Sequence, residues 1–343
     1  MKPQRLAGLD ALRAIAALTV FVGHAFDVGL PISRVTFAGV TTFFVLSGYL
    51  LYRPFVVASR NGRSVHLGLY FVRRFLRIAP AYVVALVGIS ILTTGRLPDD
   101  LLGHLLMADT APIEVAWTLR IEAWFYLVLP LLAAAIATCS PERQPSLLVS
   151  FAALSLIAGV LFVVAAQAVG NVADTVQLQQ LPFYLWAFIP GMLLATIEAD
   201  RPSALGRLRS RRWLGLAAGL LIAGAVLDLA VPFLLNGRDA VLTSGGAAIL
   251  VGAAIPQDLG RFTRPAVVGG ALSYAFYLWH VDIVRLLDNL TVVGGFEAFA
   301  VTVAIAAMSY FLIERHALRM ALAVERRRER SERRPEADGG LLR

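Results

Sequence analysis

The residues of this chain with chemistry to offer are few and sit in apolar surroundings. His24, Glu122 and His280 each fall inside a largely hydrophobic run: LDALRAIAALTVFVGHAF, AWTLRIEAWFYLVLPLL and GGALSYAFYLWHVDIV. An ionisable group within such a run is costly, so each is a functional candidate. Imidazole is the side chain best suited to proton transfer near neutral pH. His24 and Glu122 lie at a similar depth, each roughly six residues from one end of its run. A carboxylate there can hold one ring nitrogen and leave the other free as a base, the logic of a catalytic dyad. The competing assignments are a hydrogen-bonded packing histidine and a structural Glu122–Arg120 or interhelix pair. His280 falls in the same half of its run. Two histidines and a glutamate at one depth also admit a metal site. No close-spaced pair such as His-x-x-x-His occurs, and no metal is expected.

The arginines suggest a second kind of chemistry. Arg13 and His24 are eleven residues apart, which on a helix is three turns plus about 20°, an axial offset of about 16 Å on one face. In FVRRFLRIAPAY, Arg73 and Arg77 are spaced i,i+4 and Arg74 and Arg77 i,i+3, so each pair shares a helix face. Clustered guanidinium groups at a membrane edge suit a phosphate-bearing polyanion. Ordinary membrane-edge charge explains the same cluster, and on this motif alone it is the simpler reading. Asp10, Trp117, Tyr126, Tyr277 and His280 complete the candidates for a cavity or an acceptor side. Tyr274, Tyr277 and Trp279 also read as packing and interface aromatics.

The elements that must position these groups are spans. Of 343 residues, 58% are hydrophobic and 16% charged, against roughly a quarter charged in an average soluble domain. Mean hydropathy is +0.72. Disorder and an ordinary soluble globule are excluded. At about 20 apolar residues per crossing, the length allows about ten helices, near 9–30, 35–57, 75–95, 116–138, 146–169, 178–198, 213–235, 239–255, 266–286 and 291–313. The eighth is short and glycine-rich. Arginines concentrate in alternate connections: Arg60, Arg63, Arg73, Arg74 and Arg77; Arg201, Arg207, Arg209, Arg211 and Arg212; Arg261 and Arg264. By the positive-inside rule these face the cytoplasm, with both termini. The net charge of +8 is then a topology signal and a contact with anionic lipid, not a nucleic-acid footprint. The basic N-terminus mimics a signal peptide, but Asp10 and Arg13 interrupt it, so an uncleaved first span is expected. The lone Cys139 forms no intrachain disulfide. The expected architecture is all-α, a polytopic bundle over 1–320 with a charged cytoplasmic tail over 321–343, frayed helix or disorder.

The ordered set LDALRAIAALTVFVGH, GVTTFFVLSGYLL (39–51), RRFLRIAPAY (73–82), WTLRIEAWFYLVLPLL (117–132), LSYAFYLWH (272–280) and YFLIER (310–315) resembles the membrane acyltransferase 3 family. The resemblance runs from the first span to the last. It implies transfer of an acyl group, acetyl or similar, from acyl-coenzyme A to a hydroxyl of a carbohydrate, envelope polymer or secondary metabolite, in a bacterial cytoplasmic membrane. It places Arg13 and His24 on the family's paired Arg and His, Arg73, Arg74 and Arg77 on its basic element, and Glu122 on the first of two acids. The second acid is Ala123 here, Thr118 replaces a usual Ser, Trp124 a usual polar residue, and His316 a common Pro. No fused hydrolase-like partner is expected to receive the acyl group.

The expected mechanism binds the donor phosphates at Arg13, Arg73, Arg74 and Arg77. Its thin pantetheine arm reaches into the bundle, and His24 serves as base with Glu122 orienting it. An acyl-His24 intermediate is an open alternative. No tightly bound cofactor is expected; the partners are acyl-coenzyme A, a glycan or glycolipid acceptor, and the bilayer. The rival is a transporter or flippase with a buried His/Glu proton relay. A structural scaffold leaves the His24, Glu122 and His280 layer unexplained.

Overall fold

The computed structural model describes residues 6–26, 32–108, 113–168, 180–230, 240–255, 259–290 and 294–338. Among these there is no strand. The helices are α1 (Ala7–Ala25), α2 (Ile32–Arg60), α3 (Leu67–Thr94), a short α4 (Leu101–Leu105), α5 (Ala116–Ala137), α6 (Gln144–Ala168), α7 (Leu181–Asp200), a short α8 (Pro202–Arg207), α9 (Arg211–Ala230), α10 (Ala240–Ala254), α11 (Thr263–Leu290), α12 (Gly295–Ser309) and α13 (Arg315–Asp338). Every expected span has its helix. Among the described residues eight stretches are long and apolar enough to cross a membrane, against ten expected; α9 and α10 are the two expected spans not among them. The short eighth span is α10, 15 residues long. Large apolar side chains such as Leu131 (73% exposed), Leu154, Leu161, Phe296 and Leu312 point outward, as lipid-facing positions do. The chain forms a multi-pass membrane bundle.

Local chemistry sets the helix ends. His66 caps α3 by accepting the Leu69 N–H at 3.1 Å, and Gly95 ends that helix in the left-handed region at φ 71°. Asp100 caps α4 through the Gly103 N–H at 2.9 Å. Apolar helices in a membrane gain little from hydrophobic contact with one another, so close packing through small residues takes over. Gly48 of α2 lies against the Phe188 carbonyl of α7, and Gly191 of α7 against the Val45 carbonyl of α2. A Cβ at either glycine would overlap backbone, so these two residues set the α2–α7 approach. At the arginine-rich end the same two helices are tied by Arg53–Glu198 (2.6 Å) and Arg60–Asp200 (2.7 Å), with Tyr49 also donating to Glu198 at 2.8 Å.

One boundary differs from expectation, and the course of the tail also bears on the site. Helix α1 stops at Ala25 instead of running to residue 30. The tail is helical: α12, a π-helical turn at Tyr310–Glu314 and α13 run without a break through residue 320. A π turn adds a residue to the turn and rotates the helix beyond it. Here Glu314 faces inward, only 2% exposed, and α13 packs back on α3. The Arg73–Glu325 ion pair fixes that packing. At about 1.5 Å per residue, the 34-residue stretch Gly295–Arg328 is about 51 Å long, against a hydrocarbon core of about 30 Å. The last helix therefore projects well beyond the bilayer.

Candidate active site

Helices α1, α2, α3, α5 and α11 surround a chamber of about 90 Å³. Its polar wall is Arg13, Ser47, Arg74, Arg77, Thr118, Glu122, Tyr126, Ser273, Tyr274 and Tyr277; its apolar wall includes Val40, Phe43, Phe44, Ile78 and Leu119. A second, larger cavity of about 430 Å³ lies toward the arginine-rich end, lined by Asp10, Val267, Ala271, Tyr310 and Leu318 among others. Arg13, Leu50 and Arg77 belong to both walls. Chamber and vestibule therefore meet at two guanidinium groups and one leucine.

The arginines are held in different ways. Arg77 faces Glu314 at 3.6 Å and lies over the Tyr274 ring at 5.6 Å. Tyr274 in turn donates its hydroxyl to the Ile78 carbonyl at 2.9 Å, pinning α11 to α3. Arg74 stacks near Tyr70 and Tyr126, 5.9 and 5.8 Å from the ring centroids, and its buried Nε has no hydrogen-bond partner among the described residues. The Arg13 charge interacts with those of Arg77, Asp10, Glu122 and Arg74. The chamber wall thus carries three guanidinium groups and one carboxylate. Buried guanidinium groups in apolar surroundings need counter-charge, and a phosphate matches their planar donor geometry. Arg73 stands apart. It pairs with Glu325 of α13, its side chain is 40% exposed, and it lines neither cavity.

Glu122 is not bonded to His24. Its Oε1 accepts from Ser47 Oγ at 2.6 Å and from the Tyr126 hydroxyl at 2.7 Å. The depths differ because α1 ends early. His24 is the penultimate residue of α1 and is exposed, whereas Glu122 sits well inside α5 and faces α2. The partner of His24 is His280, with Nδ1 and Nε2 3.3 Å apart and ring centroids 5.1 Å apart. His280 is fully buried. Its Nδ1 lies 2.7 Å from the Tyr277 carbonyl, so that nitrogen carries the proton and Nε2 presents a lone pair. The Nδ1 of His24 lies 2.8 Å from the Val20 carbonyl as well as near His280 Nε2. Both neighbours are acceptors, so Nδ1 of His24 holds the hydrogen. Its Nε2 is left with a free lone pair at an exposed position.

One aromatic layer divides this histidine pair from the chamber. Tyr277 lines the chamber, meets Phe43 edge-on at 5.7 Å and lies 5.5 Å from the His280 ring. Its hydroxyl is 2.9 Å from Thr118 Oγ1, so the Thr in place of the usual Ser keeps the hydroxyl this contact needs. Trp124 is 51% exposed and faces outward, which accounts for an apolar side chain there. Trp117 packs on Tyr184 at 5.6 Å, outside both cavities. Among the described residues no group of three His, Cys, Asp or Glu is placed to hold a metal.

Sequence reasoning passed over three groups. Ser47 is one of few hydroxyls in the apolar second span. Glu314 and Asp282 are carboxylates inside apolar runs, the signal already applied to Glu122. Both are buried, and Asp282 Oδ2 and both Glu314 oxygens lack a hydrogen bond among the described residues.

A family model described as an acyltransferase domain matches residues 6–313. The chain is 25% identical to the O-acetyltransferase OatA of Staphylococcus aureus, over 91% of this chain and 57% of that protein. It is 27% identical to nodulation protein 10 of Rhizobium leguminosarum bv. viciae, over 93% of this chain and 95% of that protein. The chain therefore spans little more than half the length of the staphylococcal relative. No solved structure matches it. The family match takes in every helix that lines the chamber and both histidines, and the chain belongs to the acyltransferase 3 family.

Proposed function

We propose that the protein is a membrane O-acetyltransferase that takes its acyl group from acyl-coenzyme A, entering at the arginine-rich end, and delivers it to a hydroxyl of a glycan or other envelope acceptor at the opposite end. The observation that carries this reading is the convergence of Arg13, Arg74 and Arg77 on a chamber joined to the vestibule. The O-acetyltransferase name of the staphylococcal relative supports the acyl group and the oxygen acceptor. The arginine distribution supports a cytoplasmic placement of the vestibule and of both termini in a bacterial cytoplasmic membrane.

Donor phosphates bind at the vestibule, and the pantetheine arm passes Leu50 between Arg13 and Arg77. The thioester then lies in the chamber, where Glu122, held by Ser47 and Tyr126, keeps Arg13 and Arg74 from repelling each other. At the far end His24 Nε2 takes the proton of the acceptor hydroxyl. The hydroxyl oxygen bonds to the acyl carbon, the carbon–sulfur bond breaks, and the proton held by His24 passes to the departing sulfur, so that coenzyme A leaves as the thiol and His24 is neutral again. The Val20 carbonyl fixes the His24 tautomer, and His280 Nε2 shares the same hydrogen and holds the ring's orientation, the part that sequence spacing assigned to Glu122. Transfer requires the Phe43–Tyr277 layer to part, which couples acyl delivery to an occupied acceptor side.

The test supplies isotopically labelled acetyl-coenzyme A to the purified protein with extracts of envelope glycans. Release of free coenzyme A that depends on the extract, with label moving into it, supports the reading. Transport of a glycan without coenzyme A release overturns it in favour of a transporter.

A further inference from the structure

Resting on the donor reading above, we infer that Phe43 is the residue that limits the donor to short acyl groups, acting as the end wall of the chamber. One water position needs about 10–15 Å³ measured this way, so a chamber of about 90 Å³ has room for a handful of heavy atoms. The 430 Å³ vestibule takes the phosphates and most of the pantetheine arm. What remains for the chamber is the thioester and an acyl group of two or three carbons.

The walls around that space differ in how firmly they are backed. Phe44 packs at a tilt on Phe188 at 4.8 Å, and Phe188 stacks on Phe125 at 4.0 Å. Leu119 and Val40 are 4% and 7% exposed, within the main core. None of these can yield without moving a helix. Phe43 is only half-buried, and it is packed against two separate cores at once: the main core, and the smaller one built on Ala17, Phe21 and Phe276. Removing its ring therefore extends the chamber toward the smaller core and leaves the Phe44–Phe188–Phe125 cluster in place. The same ring braces Tyr277, so the wall that sets acyl length is also half of the layer in front of the histidine pair.

The test is a binding measurement that needs no acceptor. Acetyl-, propionyl-, butyryl- and hexanoyl-coenzyme A compete with labelled acetyl-coenzyme A on the full chain in lipid nanodiscs. We expect hexanoyl-coenzyme A to bind at least tenfold more weakly than the acetyl donor. In Phe43→Ala that ratio falls at least fivefold. Phe43→Leu trims the same wall more gently and should lower the ratio in the same direction, so the inference remains testable should Phe43→Ala misfold. Equal or tighter binding of hexanoyl-coenzyme A to the natural chain, or an unchanged ratio in both variants, overturns the role of Phe43 with the donor reading intact. If none of the four donors binds, the donor reading itself has failed.

Discussion

Replacing His280 separates the histidine pair from a His24–Glu122 dyad. A general base contributes about 10²–10⁴-fold, so His24→Ala should lose at least about a hundredfold in turnover. His280 acts through His24: its Nε2 shares, at 3.3 Å, the Nδ1 hydrogen that also meets the Val20 carbonyl at 2.8 Å. A neutral hydrogen bond of that kind is worth about 0.5–1.5 kcal/mol, or about 2–13-fold, which is the kinetic loss expected for His280→Gln from orientation alone. His280→Ala also empties a site that is fully buried and stacked on Phe276 at 6.2 Å, so its melting temperature should fall as well. Because the pair works as a unit, the double variant should be hardly slower than His24→Ala. The assay is single-turnover release of coenzyme A, with donor binding measured in parallel and expected to persist. Losses that multiply in the double variant, or full activity in His280→Gln beside strict non-additivity of His24 with Glu122, would refute the pairing.

Other expectations rest on where the charges lie. Arg13→Ala and Arg74→Ala should each weaken acyl-coenzyme A binding by about 1.5–3 kcal/mol, the value of one charge-assisted hydrogen bond. Arg73→Ala should leave binding nearly unchanged, since Arg73 meets Glu325 outside both cavities, and cost under about 1 kcal/mol of stability as a partly exposed pair; competition binding and thermal melts check both. Glu314→Ala removes the carboxylate facing Arg77 at 3.6 Å. Loss of one member of a buried pair costs about 3–5 kcal/mol, so the folded yield should drop sharply, and Glu314→Gln should recover only part of it. Gly191→Leu should abolish assembly, seen as loss of the monodisperse peak, because a side chain there meets the Val45 carbonyl. With Cys139 replaced, cysteines at Gly206 and Arg96 should label from opposite sides of the membrane.

Helix order and placement were legible because most spans are long apolar runs closed by arginines, glycine or proline. The arginine cluster and the histidines within apolar runs were legible for the same reason, since polar groups stand out against such a background. Partnership was not. Depth was counted along α1 as if it ran to residue 30, and it ends at Ala25, which moves His24 outward and away from Glu122. Arg73 and Arg74 are adjacent in sequence and look equivalent there, but successive helix positions differ by about 100°, and only Arg74 turns to the chamber. Glu314 reaches Arg77 through a π turn, and no spacing rule based on a regular helix shows that.

On the proposed route, an acyl-coenzyme A donor enters through the vestibule and reaches the arginine-lined chamber. Photo-crosslinking with an acetyl-coenzyme A analogue carrying the reactive group on its pantetheine arm tests it most directly. The account requires adducts on peptides containing Leu50, Val267–Ala271 or Leu318, suppressed by excess acetyl-coenzyme A and lost in Arg13→Ala. Competable adducts confined to the opposite end of the bundle, or adducts that acetyl-coenzyme A does not suppress, would contradict it.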